Sequence, residues 1–342
     1  MSIKRQFDVP LPSISTFRMG GTAAEMVTVE TEQDLEELFE TMTADRKWFV
    51  VGGGSNVVFP DGDCDTLLIR LASGEVKITE SDATHAVLSV PAGTLWDTVV
   101  SFAVSKGLSG IEALSAIPGT AGATPIQNVG AYGRETSDVL VSVRAYDVVL
   151  KKFVTLANKE CRFGYRDSIF KHEGKNKYII TMVTYALSTE DPDVPQYPGL
   201  AEYFAEHEIN RPALQDIRAA IIAIRAKKLP DPREIASVGS FFKNVFVSKS
   251  QAEKLKKEFP TLAVFPASES FSKIGAGSLI DMLGLKGKKF GNLSIYKNNA
   301  LVLVNEGGAT RKELARLTET IISQVKEKYD VTLELEPELL EF

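Results

Sequence analysis

Cysteine and histidine are scarce in this chain, with two and three copies in 342 residues. Cys64 and Cys161 lie far apart, without Cys-x-x-Cys or Cys/His spacing. That disfavours a zinc knuckle or a disulfide framework and predicts two reduced, buried thiols. His85, His172 and His207 sit in unremarkable surroundings, and no Gly-x-Ser-x-Gly is present, so a serine-hydrolase triad is poorly supported. A Walker-type Gly-Lys-Ser/Thr is also missing, which argues against an NTPase. There is no basic excess: 39 Lys and Arg against 45 Asp and Glu give a net charge of −6. A general nucleic-acid binder is therefore not expected, and any phosphate must be met by local cations and backbone N–H groups. No apolar run approaches the ~18 residues of a membrane span. Met1 to Pro10 carry no apolar signal core, so no membrane association and a cytoplasmic setting are expected.

What is present is a globular composition, 44% hydrophobic and 25% charged. At this length two or three subdomains are expected. The most informative stretch is 118–133, Pro-Gly-Thr-Ala-Gly-Ala-Thr-Pro-Ile-Gln-Asn-Val-Gly-Ala-Tyr-Gly. Gly119, Gly122, Gly130 and Gly133, with Gly110 upstream, stand among small residues with almost no charge, unlike a solvated linker. Such a segment suits backbone brought close to a flat, bulky ligand. Upstream, Phe49 to Phe59 runs a hydrophobic strand into Gly52, Gly53 and Gly54, then Ser55, Asn56 and Val57, and out into another strand. This is not a dinucleotide fingerprint, because no helix follows the glycines. A plain tight turn is the dull alternative; together the two loops suggest two walls of one cofactor site.

The periodicity is mixed α and β. Helices are predicted over 32–43 (capping box Thr31/Asp34), after Thr94 to Gly107, over 212–228 with Pro212 in its first turn, and over 250–258 and 277–283. A further helix is predicted over 311–328, capped by Thr310 and Glu313. Strands are predicted at 47–51, 57–59, 66–70, 86–90, 141–150, 178–187, 300–304 and 331–335. The proline-rich 190–199 reads as a connector, and Leu229-Pro-Asp-Pro as a domain boundary.

Three polar clusters could carry chemistry. Arg162-Phe-Gly-Tyr-Arg166-Asp167-Ser168 reads either as a surface ion pair of Arg166 with Asp167 or Glu160, or as a guanidinium aimed at a carboxylate. Gly239-Ser240-Phe-Phe-Lys243-Asn244 sets a hydroxyl, an ammonium and an amide beside two rings; alone it is a turn. Glu336-Pro-Glu338 is ordinarily a solvated acidic pair. The residues by themselves define an α/β protein with a Gly-rich cofactor site, an Arg and a Ser-Lys-Asn cluster.

The blocks at 52–56, 117–133, 160–173, 228–232, 239–244 and 335–338 together resemble the UDP-N-acetylenolpyruvoylglucosamine reductases, FAD enzymes of peptidoglycan precursor synthesis. The resemblance spans nearly the whole chain, and Tyr197 in the proline-rich loop is similar to the longer subtype. It implies an α+β fold: a vanillyl-alcohol-oxidase (PCMH)-type FAD domain in two lobes (1–72; 73–228 joined by a C-terminal strand, 330–342) and a separate α+β substrate-binding domain (229–329). It implies non-covalent FAD, held by Gly52, Gly53, Gly54, Ser55, Asn56 and Val57, and by Pro118, Gly119, Gly122, Ala123, Thr124, Ile126, Asn128, Gly130, Ala131 and Tyr132. It implies NADPH as co-substrate and UDP-N-acetylglucosamine enolpyruvate as substrate, bound by Tyr132, Tyr197, Arg225, Lys228 and Asn244. Arg166 and Glu338 match the pair that polarises the enolate-like state, and Ser240 the proton donor, with Lys243 or water replacing its proton. A monomer without metal is expected. After Glu338, Leu-Leu replaces the family's Val-Arg, and Tyr296 and Asn299 lie where a Gly-Gly-Ala-x-Val-His stretch is usual. Another oxidoreductase on the same FAD fold, or a non-catalytic nucleotide-sugar binder, stays open as an alternative.

Overall fold

The computed structural model describes residues 3–341. The chain divides into two compact units: 1–9, 23–53 and 65–226 form the first, and 10–22, 54–64 and 227–342 the second.

In the first unit, strands Lys4–Pro10, Thr22–Val29, Cys64–Leu71 and Trp48–Val50 form one sheet in that order. Helix α1 (Glu32–Thr41) starts at Thr31, whose hydroxyl accepts from the Asp34 N–H while the Asp34 carboxylate accepts from the Thr31 N–H. This satisfies two orphan donors of the first turn. Leu35, Leu38 and Phe39 then bury against Val27, Leu67 and Ile69.

A second, five-stranded antiparallel sheet runs Lys152–Ala157, Leu140–Asp147, Tyr178–Ser188, His85–Pro91, Lys77–Ser81. Alternate residues Leu88, Val90, Val183 and Tyr185 pack with Trp96, Val99, Val100 and Ala103 of helix α2 (Trp96–Ser105). That helix starts one residue later than the Thr94 signal suggests. Leu95 is the N-cap, and the Thr94 hydroxyl instead donates to the Gly74 carbonyl at 3.0 Å.

Helix α3 (Pro198–Glu206) emerges from the proline-rich loop and packs Leu200 and Phe204 against Ile217, Ile221 and Ile224 of helix α4 (Leu214–Lys228). The sequence reading missed α3, although Pro198 occupies its first turn. Pro212 lies outside α4; the Asp216 carboxylate accepts from the Ala213 N–H at 2.9 Å and sets the start there.

In the second unit, strands Ala236–Ser240, Val302–Asn305, Leu293–Ile295 and Lys289–Phe290 form one sheet, and Val245–Ser248, Phe271–Ile274 and Val264–Pro266 another. Helices α5 (Lys249–Glu258), α6 (Ala276–Met282) and α7 (Arg311–Tyr329) cover them. The Thr310/Glu313 capping box is present, and Leu314, Leu317, Ile321 and Val325 are buried. Phe17, Met19 and Val58 complete this core from early in the sequence. The expected strand 331–335 is not formed. Val331 and Leu333 are buried, but of these residues only Leu335 makes a bridge, to Phe242. The chain pairs instead at Glu338–Leu339, parallel to Val57–Val58. No helix among the described residues is long and apolar enough to cross a membrane.

Candidate active site

Within the first unit the two glycine loops meet backbone to backbone. A Cβ on Gly53 would lie 2.9 Å from Gly119 Cα, and one on Gly52 2.8 Å from Thr120 Oγ1. The 119–122 turn hangs on Ala92–Trp96: Trp96 N–H donates to the Gly119 carbonyl, Ala121 N–H to Thr94 and Gly122 N–H to Ala92. Gly122 has Ala92 2.6 Å from any added Cβ. Neither 52–57 nor 118–133 contains a carboxylate. A neutral cradle of backbone amides and hydroxyls suits a diphosphate anion, so these residues fit FAD. Pro118, Ala123 and Ile126 belong to the same segment.

Two members of that set direct their side chains into protein. Thr124 is buried, with its hydroxyl 2.7 Å from the Tyr185 hydroxyl, and burial pushes the Tyr185 phenol well up. Asn128 is also buried, and its amide is occupied by Glu135, Gly164 and Ser137.

Beyond it, Gly130 and Ala131 pair with Glu135 and Arg134 in a two-residue hairpin. Both turn residues take positive φ, Tyr132 at 53° and Gly133 at 83°, as such hairpins require. Tyr132 thereby meets Tyr197 edge-on, ring centres 4.9 Å apart. It also shares a hydrogen bond with Arg225. Burial raises the Tyr132 phenol against the pull of Arg225, and lowers the Arg225 guanidinium against Tyr132 and Asp97. Arg225 Nε is buried without a hydrogen-bond partner in the fold. Three of the expected substrate residues thus come together.

Arg166 does not take the surface ion pair with Asp167. Asp167 holds His172 Nε2 at 2.8 Å, and Glu160 accepts from the Ala157 N–H. Arg166 donates to the Gly130 carbonyl at 2.6 Å, in the same loop as Tyr132.

In the second unit three sequence-remote blocks are laced by backbone bonds. Lys243 N–H donates to the Glu334 carbonyl at 2.9 Å, and Glu336 N–H to Phe241 at 3.0 Å. Glu338 N–H then donates to Asn56, and Leu340 N–H to Val58, each at 3.0 Å. The segment carrying Glu338 therefore runs from the Ser240 strand to the Ser55-Asn56-Val57 arm. Gly54 turns that arm at φ 61°, where a Cβ would strike the Ile14 carbonyl at 1.9 Å. Ser240 is half-buried and opposite Val302, just after Gly239 at φ 73°. Lys243 pairs with the Glu334 carboxylate at 3.3 Å. The Asn244 amide oxygen accepts from Ala276 N–H, so it caps the helix that Gly275 opens. Lys228 is the last residue of α4.

The sequence reading overlooked Asp97 and Arg218. The Asp97 carboxylate takes both Arg218 Nη atoms, at 2.7 and 2.8 Å, and the Ala116 N–H at 2.6 Å. It ties α4, which carries Arg225, to the turn before Pro118. Burial favours a neutral Asp97, but Arg218, the Ala116 amide and Arg225 outweigh it and hold the carboxyl below the usual range.

Residues 23–151 match the family described as FAD binding domain, and 231–340 the C-terminal domain of UDP-N-acetylenolpyruvoylglucosamine reductase. Fold and loops thus define a flavin-dependent oxidoreductase with an FAD-binding domain and a separate C-terminal domain. The chain is 37% identical to the UDP-N-acetylenolpyruvoylglucosamine reductase of Flavobacterium johnsoniae, over 98% of this chain and 99% of that one. It is 41% identical to that of Ralstonia nicotianae, over 96% and 97%. The crystal structure of the Thermus caldophilus reductase aligns over 100% of both chains with a TM-score of 0.68 at 26% identity. The chain belongs to the UDP-N-acetylenolpyruvoylglucosamine reductase family.

Proposed function

We propose that this chain uses NADPH to reduce the enolpyruvyl ether of UDP-N-acetylglucosamine to the lactyl ether, UDP-N-acetylmuramate, as a cytoplasmic monomer. The observation that supports the reading is the backbone lacing of 239–243, 334–340 and 56–58, the segments that carry Ser240, Glu338 and Asn56. FAD, held by Gly52 to Val57 and by the 118–132 loop, supplies the hydride chemistry when bound. Arg166 presents a planar fork to the substrate carboxylate, and Glu338 adds a second polar contact to the charge that develops there. Ser240 gives its hydroxyl proton to the carbon next to the carboxylate. A hydroxyl is a weak acid, and Lys243, itself paired with Glu334, is the cation on hand to favour its loss. Tyr132, Tyr197 and Arg225, which meet within the first unit, are assigned to the nucleotide-sugar substrate, as are Lys228 and Asn244. The domain division that goes with this reading is two FAD lobes, 1–72 and 73–228 with the strand 330–342 joined to the second, and a substrate-binding domain over 229–329.

The test is spectroscopic. The purified protein is bleached anaerobically with NADPH, and UDP-N-acetylglucosamine enolpyruvate is then added. Return of the oxidised flavin band supports the reading, whereas flavin that stays reduced refutes the substrate. Ser240→Ala should bleach normally and recover roughly 10²–10⁴ times more slowly. Equal damage to both phases would remove Ser240 from the proton-donor role.

A further inference from the structure

Arg166 sits in an uncommon backbone state. Gly164 and Asp167 close a tight turn by reciprocal bonds, Gly164 N–H to the Asp167 carbonyl at 3.0 Å and Asp167 N–H to the Gly164 carbonyl at 3.2 Å. Tyr165 and Arg166 occupy its two central positions, and Arg166 has φ 54°. That position normally selects Gly or Asn, and another residue stays there only when its surroundings over-determine it.

Three bonds from the 126–130 segment supply that determination. Asn128 Nδ2 donates to the Gly164 carbonyl at 3.1 Å, at the base of the turn. The Ile126 carbonyl accepts from Ser168 Oγ, and the Gly130 carbonyl from Arg166 Nη2, each at 2.6 Å. Asn128, like Ser168, is only 1% exposed, and is itself at φ 47°. Its Nδ2 also donates to Glu135 Oε2 at 2.7 Å, and its Oδ1 accepts the Ser137 N–H at 3.0 Å. Glu135 and Arg166 both crowd Gly130: an added Cβ there would lie 2.8 Å from Glu135 Cγ and 3.2 Å from Arg166 Nη1.

We propose that Asn128 is a positioning residue for Arg166: its amide locks the strained Gly164–Asp167 turn against the 126–130 segment and aims the guanidinium. This rests on the role given to Arg166 above. The two faces of the amide are both needed. Its N–H pair faces two acceptors, a carboxylate and a carbonyl, so a carboxylate at this position reverses the interaction without changing shape.

The experiment is a double-mutant cycle with Asn128→Asp and Arg166→Ala in the FAD-loaded enzyme. It follows flavin reduction by NADPH and reoxidation by UDP-N-acetylglucosamine enolpyruvate, with bound FAD measured from the spectrum. Asn128→Asp alone should slow reoxidation by about 10²-fold, the cost of misplacing one group by about 1 Å. The reduction rate, read in the same variants, reports any change in how FAD is held, so the positioning effect is read from reoxidation relative to reduction. In the Arg166→Ala background the same substitution should have almost no further effect on reoxidation. An undiminished effect in that background overturns the positioning role while leaving Arg166 in place. An Arg166→Ala variant that reoxidises normally overturns the role of Arg166 itself. Asn128→Ser, which keeps one donor, runs the same cycle if the aspartate variant does not retain FAD.

Discussion

Glu338 lies opposite Val57 in a two-residue parallel ladder, its backbone N–H donating to the Asn56 carbonyl at 3.0 Å. The ladder fixes the backbone on which the carboxyl group is mounted, independently of the side chain. Glu338→Gln and Glu338→Ala should therefore both fold and hold FAD. The alanine variant should lose about 10²–10³ in turnover, the usual cost of removing a preorganised polar contact to developing charge. The glutamine variant, which keeps a hydrogen-bonding group in place, should lose roughly tenfold, one charge-assisted bond. Equal losses for the two would mean that the carboxyl group itself, and not merely a hydrogen-bonding group of its shape, is required.

The contact between the glycine loops leaves no room for a methyl group. In Gly53→Ala the new Cβ would meet the Gly119 backbone, which cannot rotate away as a side chain would. The ratio of flavin to protein absorbance should fall sharply with the secondary structure intact by circular dichroism. Unchanged retention would mean that the loops need not touch to hold the cofactor.

Asp97 should shape the acid limb of stability. Its carboxyl is held below the usual range, so its contribution is complete above the unfolded value of about 3.9 and is lost as pH falls through the folded value. Asp97→Asn should lower Tm at pH 7, by about 1 kcal/mol of stability once partial exposure is discounted. It should also flatten the fall in Tm below about pH 4. A parallel acid limb in the variant would exclude Asp97 as its source.

Cys161 gives the opposite sign. Burial, with Glu160 nearby, pushes its thiol up to about 12. An unfolded cysteine ionises near about 8.5, so the stability gained from keeping the thiol neutral is lost as pH rises from there towards 12. Iodoacetamide at pH 8.5 should leave Cys161 unlabelled in the native protein and label it after unfolding, as read by peptide mass. Rapid native labelling would mean that this part of the fold opens.

Local signals carried the helices into view. Thr31 and Thr310 each announce a capping box within three residues, and both are present. Alternation misled at 331–335, because Val331 and Leu333 bury without completing a ladder. Short strands such as Val264–Pro266 draw their partners from tertiary context and have little periodicity of their own. The site followed the same division. The glycine loops, Arg166, Ser240 and Glu338 stand in recognisable blocks. The contacts that hold them appear only in three dimensions: Asn128 meets Gly164 across 36 positions, and Asp97 meets Arg218 across 121.

The amide of Asn305 donates to the Phe17 and Arg18 carbonyls, and Phe17 and Met19 fill the core beneath α6 and α7. The order in which the ribosome delivers the chain thus runs against the order in which this core can close. At about 5–20 residues per second, Phe17 and Met19 wait on the order of tens of seconds for their partners. Through that interval two large apolar side chains are exposed on the nascent chain, a natural handle for a chaperone. Nascent chains stalled before residue 293 should bind one through this segment, and Phe17→Ser should weaken the capture.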